Sequence, residues 1–316
     1  MKEFKNLIRI TGKLVKNNID EFTTKNGEDA IGGSLILRTA DNSEHEVHFF
    51  AFKFKKDEQR NFTSEESYFY KQYIDAKDNL KDIEHCKEGE NPDVISITDG
   101  RFTANDFKGN DGSVVSTNKI YAKFINRVEP KDYENTILEA KFEVEGIVEN
   151  ITDEIIKDVP TGNLIIKMNA ISQKADGFDK NPNYEVDSLI PIKMIVDSSM
   201  AEAFRSAGYY DGCFTKFVGE IINSVDEKEV VEKVAFGDDI KRIAKTYIKK
   251  NDIKSGIVPT SIFEHDLTQE IVDMLKSKRK ARMAEIKSGN SNNQADGFQK
   301  NTNVAPPQTN YNPFAQ

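Results

Sequence analysis

The chain of 316 residues has no tryptophan, two cysteines, four histidines and no apolar run near the roughly 18 residues a membrane span requires. Cys86 and Cys213, with His45, His48, His85 and His265, fall into no CxxC or HExxH spacing, so neither a metal centre nor a cofactor is expected. Both cysteines read as small, partly buried side chains. The N-terminal MKEFKNLIRITG lacks the apolar core and cleavage site of a secretion signal, and the expected location is the cytoplasm. Also missing are a GxxxxGK[ST] phosphate loop, a GxSxG elbow and any histidine set at motif spacing. The abundant carboxylates are scattered rather than paired for acid-base work, so no enzyme is expected.

Hydrophobic residues make up 37% and charged residues 31%, enough for a sizeable core at this length and for two domains plus extensions. The net charge of −9 argues against a generally basic nucleic-acid binder. It is unevenly spread, with −3 over residues 1–130, −10 over 131–236 and +4 over 237–316. Because the Debye length is about 8 Å at physiological salt, a basic face in the first segment acts almost independently of the acidic middle.

Strand signals fill the first 55 residues. In NLIRITGKLVK, Ile8, Ile10 and Leu14 alternate against Arg9, Thr11 and Lys13, the period-two pattern of a half-buried strand. GGSLILRTADN and EHEVHFFAFKFKK follow, with the turn chemistry of Asp41-Asn42-Ser43 between them. The period then changes: Phe69, Tyr73, Ala76, Leu80 and Ile83 share one helical face, and Thr63-x-x-Glu66 has the form of a capping box. Residues 99–128 return to strands, as a pair closed by Asn110-Asp111-Gly112. Three strands, a helix and two strands is the order of an OB-fold, a five-stranded Greek-key barrel.

The pattern repeats. FEVEGIVEN (142–150) matches IRITGKLVKN (8–17), with Gly146 at the place of Gly12. TGNLIIKMNAIS and VDSLIPIKMIV supply the next strands, SSMAEAFRSAG a short helix opened by Ser199-x-x-Glu202, and CFTKFVGEIINSV with EKEVVEKVAF a final pair in which Gly219 takes the place of Gly100. Glycine inside a strand marks the sharp bends that a small barrel needs. The expected fold is therefore mainly β: tandem OB-fold-like barrels over 1–130 and 131–236, a helical extension over 237–287 and a disordered tail over 288–316. Ile240, Ile243, Ala244, Tyr247 and Ile248 share a helical face, a longer helix is expected from about Asp266 to Lys287, and Gly256 and Pro259 separate the two. The tail has seven asparagines, two adjacent prolines and almost no aliphatic residues, too little to offset the entropy of ordering.

Alternation along the strands of 99–128 puts Phe102, Ala104, Ile120, Ala122 and Phe124 inside the first barrel, and Arg101, Thr103, Phe107, Lys119, Tyr121, Lys123 and Arg127 outside. The first strand adds Arg9, Thr11 and Lys13 to that outer wall. The third strand leaves its inner face open, since Val47, Phe49 and Ala51 on one side and His48, Phe50, Phe52 and Phe54 on the other are both able to be core; one of Phe50 and Phe52 is the expected stacking ring, and Phe50 is carried forward as the candidate. In the repeat Arg9 aligns with Glu143, Thr11 with Glu145 and Arg101 with Glu220, so the two barrels carry opposite charge at equivalent positions. A cationic, ring-bearing wall suits single-stranded nucleic acid, with bases on rings and phosphates on Lys and Arg. No zinc finger, basic zipper or helix-turn-helix signature points to a duplex.

In strand order, in the Gly12 and Gly100 strands and in the tail, residues 5–128 resemble a single-stranded-DNA-binding protein of the bacterial and phage type. The resemblance implies sequence-tolerant, cooperative coating of single strands in replication or recombination, with the tail recruiting other replication proteins. The chain departs from that family in lacking tryptophan, in carrying two barrels and in ending YNPFAQ rather than with an acidic tip. Its Lys-, Asn- and Ile-rich composition points to an AT-rich genome, such as a phage of low-GC bacteria, which would place the protein in the bacterial host cytoplasm. The expected nucleic-acid-binding residues are Arg9, Lys13, Arg101, Phe107, Lys119, Tyr121, Lys123, Arg127 and Phe50, with the second barrel serving assembly or partner contacts. Two other readings are a protein-interaction adaptor or phage structural component that never touches nucleic acid, and an accessory that loads a helicase or recombinase through its C-terminal helices. Two short features remain: ADGFDKN (175–181) recurs almost unchanged as ADGFQKN (295–301), and KSKRKARMAEIK (276–287) is a basic run with the charge favoured near a helix C-terminus.

Overall fold

A computed structural model describes residues 2–57, 59–176, 183–232 and 240–288. Strand β1 (Asn6–Asn17) buries Ile8, Ile10 and Leu14 and exposes Arg9 and Lys13, as its alternation requires. It is followed by a short strand β2 (Asp20–Thr23), then β3 (Asp29–Ala40), β4 (Ser43–Phe52), a small hairpin β5 (Phe54–Lys56) and β6 (Phe62–Glu66), helix α1 (Tyr68–Asn79), β7 (Val94–Lys108), β8 (Val114–Tyr121) and the two-residue β9 (Asn126–Arg127). β1 pairs antiparallel with β3, β3 with β4, β8 with β7 and β7 with β1, while β4 and β8 are parallel. These five pairings close a ring in OB-fold order. Tyr70, Tyr73 and Ala76 of α1 enter its core, and the Tyr73 hydroxyl donates to the Lys123 carbonyl at 2.8 Å.

The second ring repeats the first. It consists of β10 (Glu139–Ile156), β11 (Val159–Asp176), β12 (Asn183–Val196), helix α2 (Ser198–Ser206), β13 (Phe214–Glu232) and β14 (Ile240–Gly256). The partners are β10–β11, β11–β12, a parallel β12–β14, β14–β13 and β13–β10. Ile8 lies opposite Gly100 in the first barrel, and its repeat equivalent Phe142 lies opposite Gly219 in the second. The internal repeat thus holds at the level of strand register.

β1 also pairs antiparallel with β10, which joins both barrels into one sheet. Helix α3 (Gln269–Ser288) packs over the junction. Its Val272 and Leu275 share a small core with Phe4, Ile147, Leu189 and Phe214, and its Arg279 donates to the buried carboxylate of Asp106 at 2.9 and 3.1 Å. Asn118, in the same hairpin as Asp106, donates its amide to the Pro191 carbonyl of β12.

Several local expectations are overturned. Thr63 and Glu66 lie in strand β6 rather than in a capping box, because Phe54 and Lys56 offer them a partner strand. The helix instead starts after Ser67 and stops at Asn79, leaving Ile83 exposed in a separate 3-10 turn. In α2 the cap is Asp197, whose carboxylate accepts from the Ser199 amide, rather than Ser199. CFTKFVGEIINSV and EKEVV belong to one strand, β13, and the fifth strand of the second barrel is β14, which occupies the segment expected to open the helical extension. A helix-spaced apolar pattern there yields to register pairing with β13 along sixteen positions. The second barrel therefore runs on to Gly256. β8 ends at Tyr121, so alternation cannot be carried past it: Phe124 is 41% exposed and packs on Phe69, and Ile125 is buried in its stead. The tail from residue 289 and most of ADGFDKN lie outside the described residues. Among the described residues no helix is long and apolar enough to cross a membrane, and no cluster of His, Cys, Asp and Glu could hold a metal ion.

Candidate nucleic-acid interface

Register alone assembles the outer face of the first barrel. Val47, Phe49 and Ala51 are buried in the core, which turns His48, Phe50 and Phe52 of β4 outward. Across the parallel β4–β8 pairing His48 meets Tyr121, and across the β7–β8 hairpin Tyr121 meets Arg101. The row His48, Tyr121, Arg101 therefore crosses three adjacent strands. Next to it Lys119 lies opposite Thr103. The His48 and Tyr121 ring centroids are 5.3 Å apart.

Along β4 the rings continue. Phe50 and Phe52 are edge-to-face at 4.9 Å, Phe62 of β6 approaches Phe52 at 5.1 Å, and Phe22 of β2 approaches Phe50 at 6.2 Å. Lys56 holds its ammonium 4.5 Å from the Phe52 ring and 4.3 Å from the Phe62 ring, a cation-π geometry. The residues of β3 opposite Phe50 and Phe52 are Gly32 and Ala30, which have little or no side chain to cover the rings. Of the rings in this strip Tyr121 and Phe50, with Phe52 as the alternative to Phe50, are the ones expected from sequence. His48 and Phe52 were legible as the alternate face of β4; Phe22, Phe62 and Lys56 join through β2 and the β5–β6 hairpin, which the sequence pattern did not define.

The cations expected on this wall separate into groups. Arg101 and Lys119 stand in it, and Arg9 on β1 is a diagonal neighbour of Arg101 in the β1–β7 pairing. Lys13 lies six residues along β1 from the level of Arg101, roughly 20 Å at about 3.3 Å per residue. Phe107 lies on the same face as Arg101 but near the tip of the β7–β8 hairpin, opposite Val115, and is 45% exposed. Lys123 is exposed in the loop after β8, whose backbone amides at Lys123 and Phe124 donate to Asp99. Among the described residues none of Arg9, Lys13, Arg101, Lys119 and Lys123 has an acidic partner within ion-pair distance. Arg127 differs. Its guanidinium grips the buried carboxylate of Asp93 at 2.7 and 3.0 Å, with the Tyr133 hydroxyl donating to the same oxygen. Burial works against its charge, but the hydrogen bond and charge of Asp93 more than offset that and hold the guanidinium pKa above its ordinary value. Arg127 stays exposed in β9, opposite Ile95, with its guanidinium committed to Asp93 within the chain.

The second barrel supplies the contrast. Where Arg101 faces Tyr121 and Tyr121 meets His48, Glu220 faces Asp252 and Asp252 meets Ile195. Lys254 bridges Asp252 at 2.9 Å and Glu220 at 3.5 Å, and the hydrogen bond to Asp252 raises its pKa. Glu143 pairs with Lys216 at 3.0 Å, and the buried Glu145 accepts from the Lys5 amide at 2.9 Å. The acids aligned with Arg9, Thr11 and Arg101 are thus satisfied within the chain. β12 ends at Val196 and gives way to α2, so no counterpart of the Phe50–Phe52 strip follows.

A fold of two OB barrels with one cationic, aromatic outer wall is what the chain presents, and comparison with known proteins adds a family. The YorF family model matches residues 5–289, and the chain belongs to that family. No curated protein matches it. Among solved structures, the single-stranded DNA binding protein from Thermus aquaticus is similar with a TM-score of 0.45 and 11% identity, over 82% of this chain and 95% of that one. A deletion mutant of the same protein gives 0.45 and 12%, over 83% and 97%. A replication protein A heterotrimer bound to single-stranded DNA gives 0.21 and 12%, over 80% of this chain and 51% of that one.

Proposed function

We propose that the protein binds single-stranded DNA with little regard to sequence, through the outer wall of its first barrel, and protects it during replication or recombination. One observation carries this reading: the row His48, Tyr121, Arg101, flanked by Lys119, stands in the same register as Ile195, Asp252 and Glu220 of the second barrel. The shared scaffold tolerates acids at these positions, so solubility and folding do not require cations and a ring there. An unpaired polynucleotide does require them, because bases stacking on aromatic rings contribute about 1–3 kcal/mol each while Lys and Arg follow the phosphates. Arg9, Arg101 and Lys119 are the phosphate contacts, with Lys123, Lys13 and Phe107 at the margins, and Tyr121, Phe50 and Phe52 are the stacking positions.

The second barrel serves assembly or partner contacts, a role supported by the exposed Ile155, Ile156 and Val159 at the tip of the β10–β11 hairpin. Recruitment of replication proteins by the C-terminal helix or the tail, and a phage origin with action in a bacterial cytoplasm, complete the proposal.

Ten tyrosines and no tryptophan let intrinsic tyrosine fluorescence report binding directly. Oligothymidine at low salt is expected to quench it and to shift the protein in a mobility assay, and Tyr121→Ala to weaken both effects without unfolding the barrel. No quenching and no shift would leave the protein-adaptor reading in place of this one. A matched RNA strand in parallel reads the DNA preference.

A further inference from the structure

We infer that Glu46 gives the wall a preference among bases, favouring cytosine over thymine; the inference rests on the proposed single-strand binding. Glu46 precedes His48 by two residues on β4 and so shares its outward face. By the register that sets Val47 against Ile120, it stands across from Lys119. Its carboxylate is anchored: one oxygen accepts from the hydroxyl of the buried Ser34 at 2.8 Å, and the other lies 3.7 Å from Nε2 of His48. The side chain nevertheless stays 55% exposed.

A carboxylate in that place is costly for a face that only follows phosphates, since like charges repel along the path of the strand. The fold does not demand it either. Ile195 occupies the place of His48 in the second barrel, and the residue two positions before Ile195 is Lys193. What a fixed, acceptor-only group can do is read a base edge. Cytosine presents an exocyclic amino group that donates to Glu, whereas thymine presents a carbonyl oxygen at the same position, and the two oxygens repel. A base resting against Tyr121, with its phosphates toward Arg101 and Lys119, reaches Glu46 along the diagonal to the neighbouring strand, a span of about 7–8 Å that a stacked ring can bridge. Cytosine and thymine have the same ring size, so stacking alone separates them little.

The test compares oligodeoxycytidine and oligothymidine of equal length on the full chain, its Glu46→Gln variant and its Glu46→Lys variant, with circular dichroism to verify folding. In the parent the cytidine strand is expected to bind about three- to tenfold more tightly, the range of a single exposed hydrogen-bonded contact. In Glu46→Gln, which both donates and accepts, that ratio falls at least about threefold. In Glu46→Lys both strands bind more tightly and the ratio disappears. An unchanged ratio in the two folded variants overturns the inference while leaving single-strand binding intact. Failure of the parent to bind either strand overturns the proposed function, and this inference with it.

Discussion

Ile8 and Phe142 face each other across the β1–β10 pairing, and they are also the residues that occupy the same place in the internal repeat. Equivalent residues that meet in an antiparallel pair define a local twofold axis: Asn6 meets Val144 on one side of it and Ile10 meets Ala140 on the other. The two barrels are therefore arranged head to head about their first strands, and the Phe102 ring of one approaches Phe142 of the other at 6.3 Å. Symmetry at the axis gives the shared strands of the two barrels defined counterparts, against which the chemical asymmetry of the outer walls stands out.

Close packing beside the axis is unequal. A Cβ built on Gly219 would fall 2.0 Å from the Asp252 carbonyl and 2.6 Å from the Phe142 ring, whereas one on Gly100 would fall 3.0 Å from the Ile8 carbonyl. Gly219→Ala is expected to cost about 3 kcal/mol or more and Gly100→Ala about 1 kcal/mol, the range seen for overpacking. Urea unfolding of both variants checks the order; equal losses would mean that the second barrel relaxes around the methyl group.

Arg127 tests the distinction between structure and binding. Arg127→Met leaves Asp93 buried without its charge partner, and the expected loss is about 2–4 kcal/mol, somewhat under the usual figure for a broken buried pair because the arginine is itself 46% exposed. Affinity of the folded fraction for oligothymidine should stay within about twofold. Unchanged stability with strongly weakened binding would instead return Arg127 to the interface.

His45 couples stability to pH. Its ring is buried, with the hydroxyls of Thr39 and Ser43 at 3.0 and 3.2 Å from Nε2, and burial, aided by the charge of Lys249, lowers its pKa from 6.5 to about 4. Between those values the unfolded chain binds the proton and the folded chain does not, so stability rises with pH through the window and is lost as pH falls from about 6.5 toward 4. The contribution is about 3 kcal/mol. His45→Gln, which keeps a hydrogen-bonding group but cannot charge, should flatten the dependence by that amount; parallel curves for parent and variant would contradict it.

The barrels were largely legible because β1 alternates cleanly, because the strand and helix signals recur in the same order in both halves, and because Gly12 and Gly146, with Gly100 and Gly219, take equivalent places in the repeat. What escaped was decided by partners remote in sequence. Ile240 through Ile248 satisfies a helical period, yet β13 supplies a strand to pair with, and that long-range pairing prevails over the local pattern. Thr63 and Glu66 have the residues of a capping box but not its setting. On the wall itself, alternation was sound for Arg101, Lys119 and Tyr121 and unsound for Phe124, which lies past the end of β8; Arg127 is exposed as expected, in β9, but engaged by Asp93. The outward set of β4 could be chosen only once Val47 and Phe49 were seen in the core.

The most direct test of the central claim is the salt dependence of oligothymidine binding in single-charge variants. Each phosphate neutralised on a single strand contributes about −0.7 to the slope of log affinity against log salt. Arg101→Gln and Lys119→Gln in the first barrel should each make the slope shallower by about that amount, while Lys167→Gln on the outer face of the second barrel leaves it unchanged. Equal slopes for all three variants and the parent would contradict the assignment of the strand to the first barrel's wall.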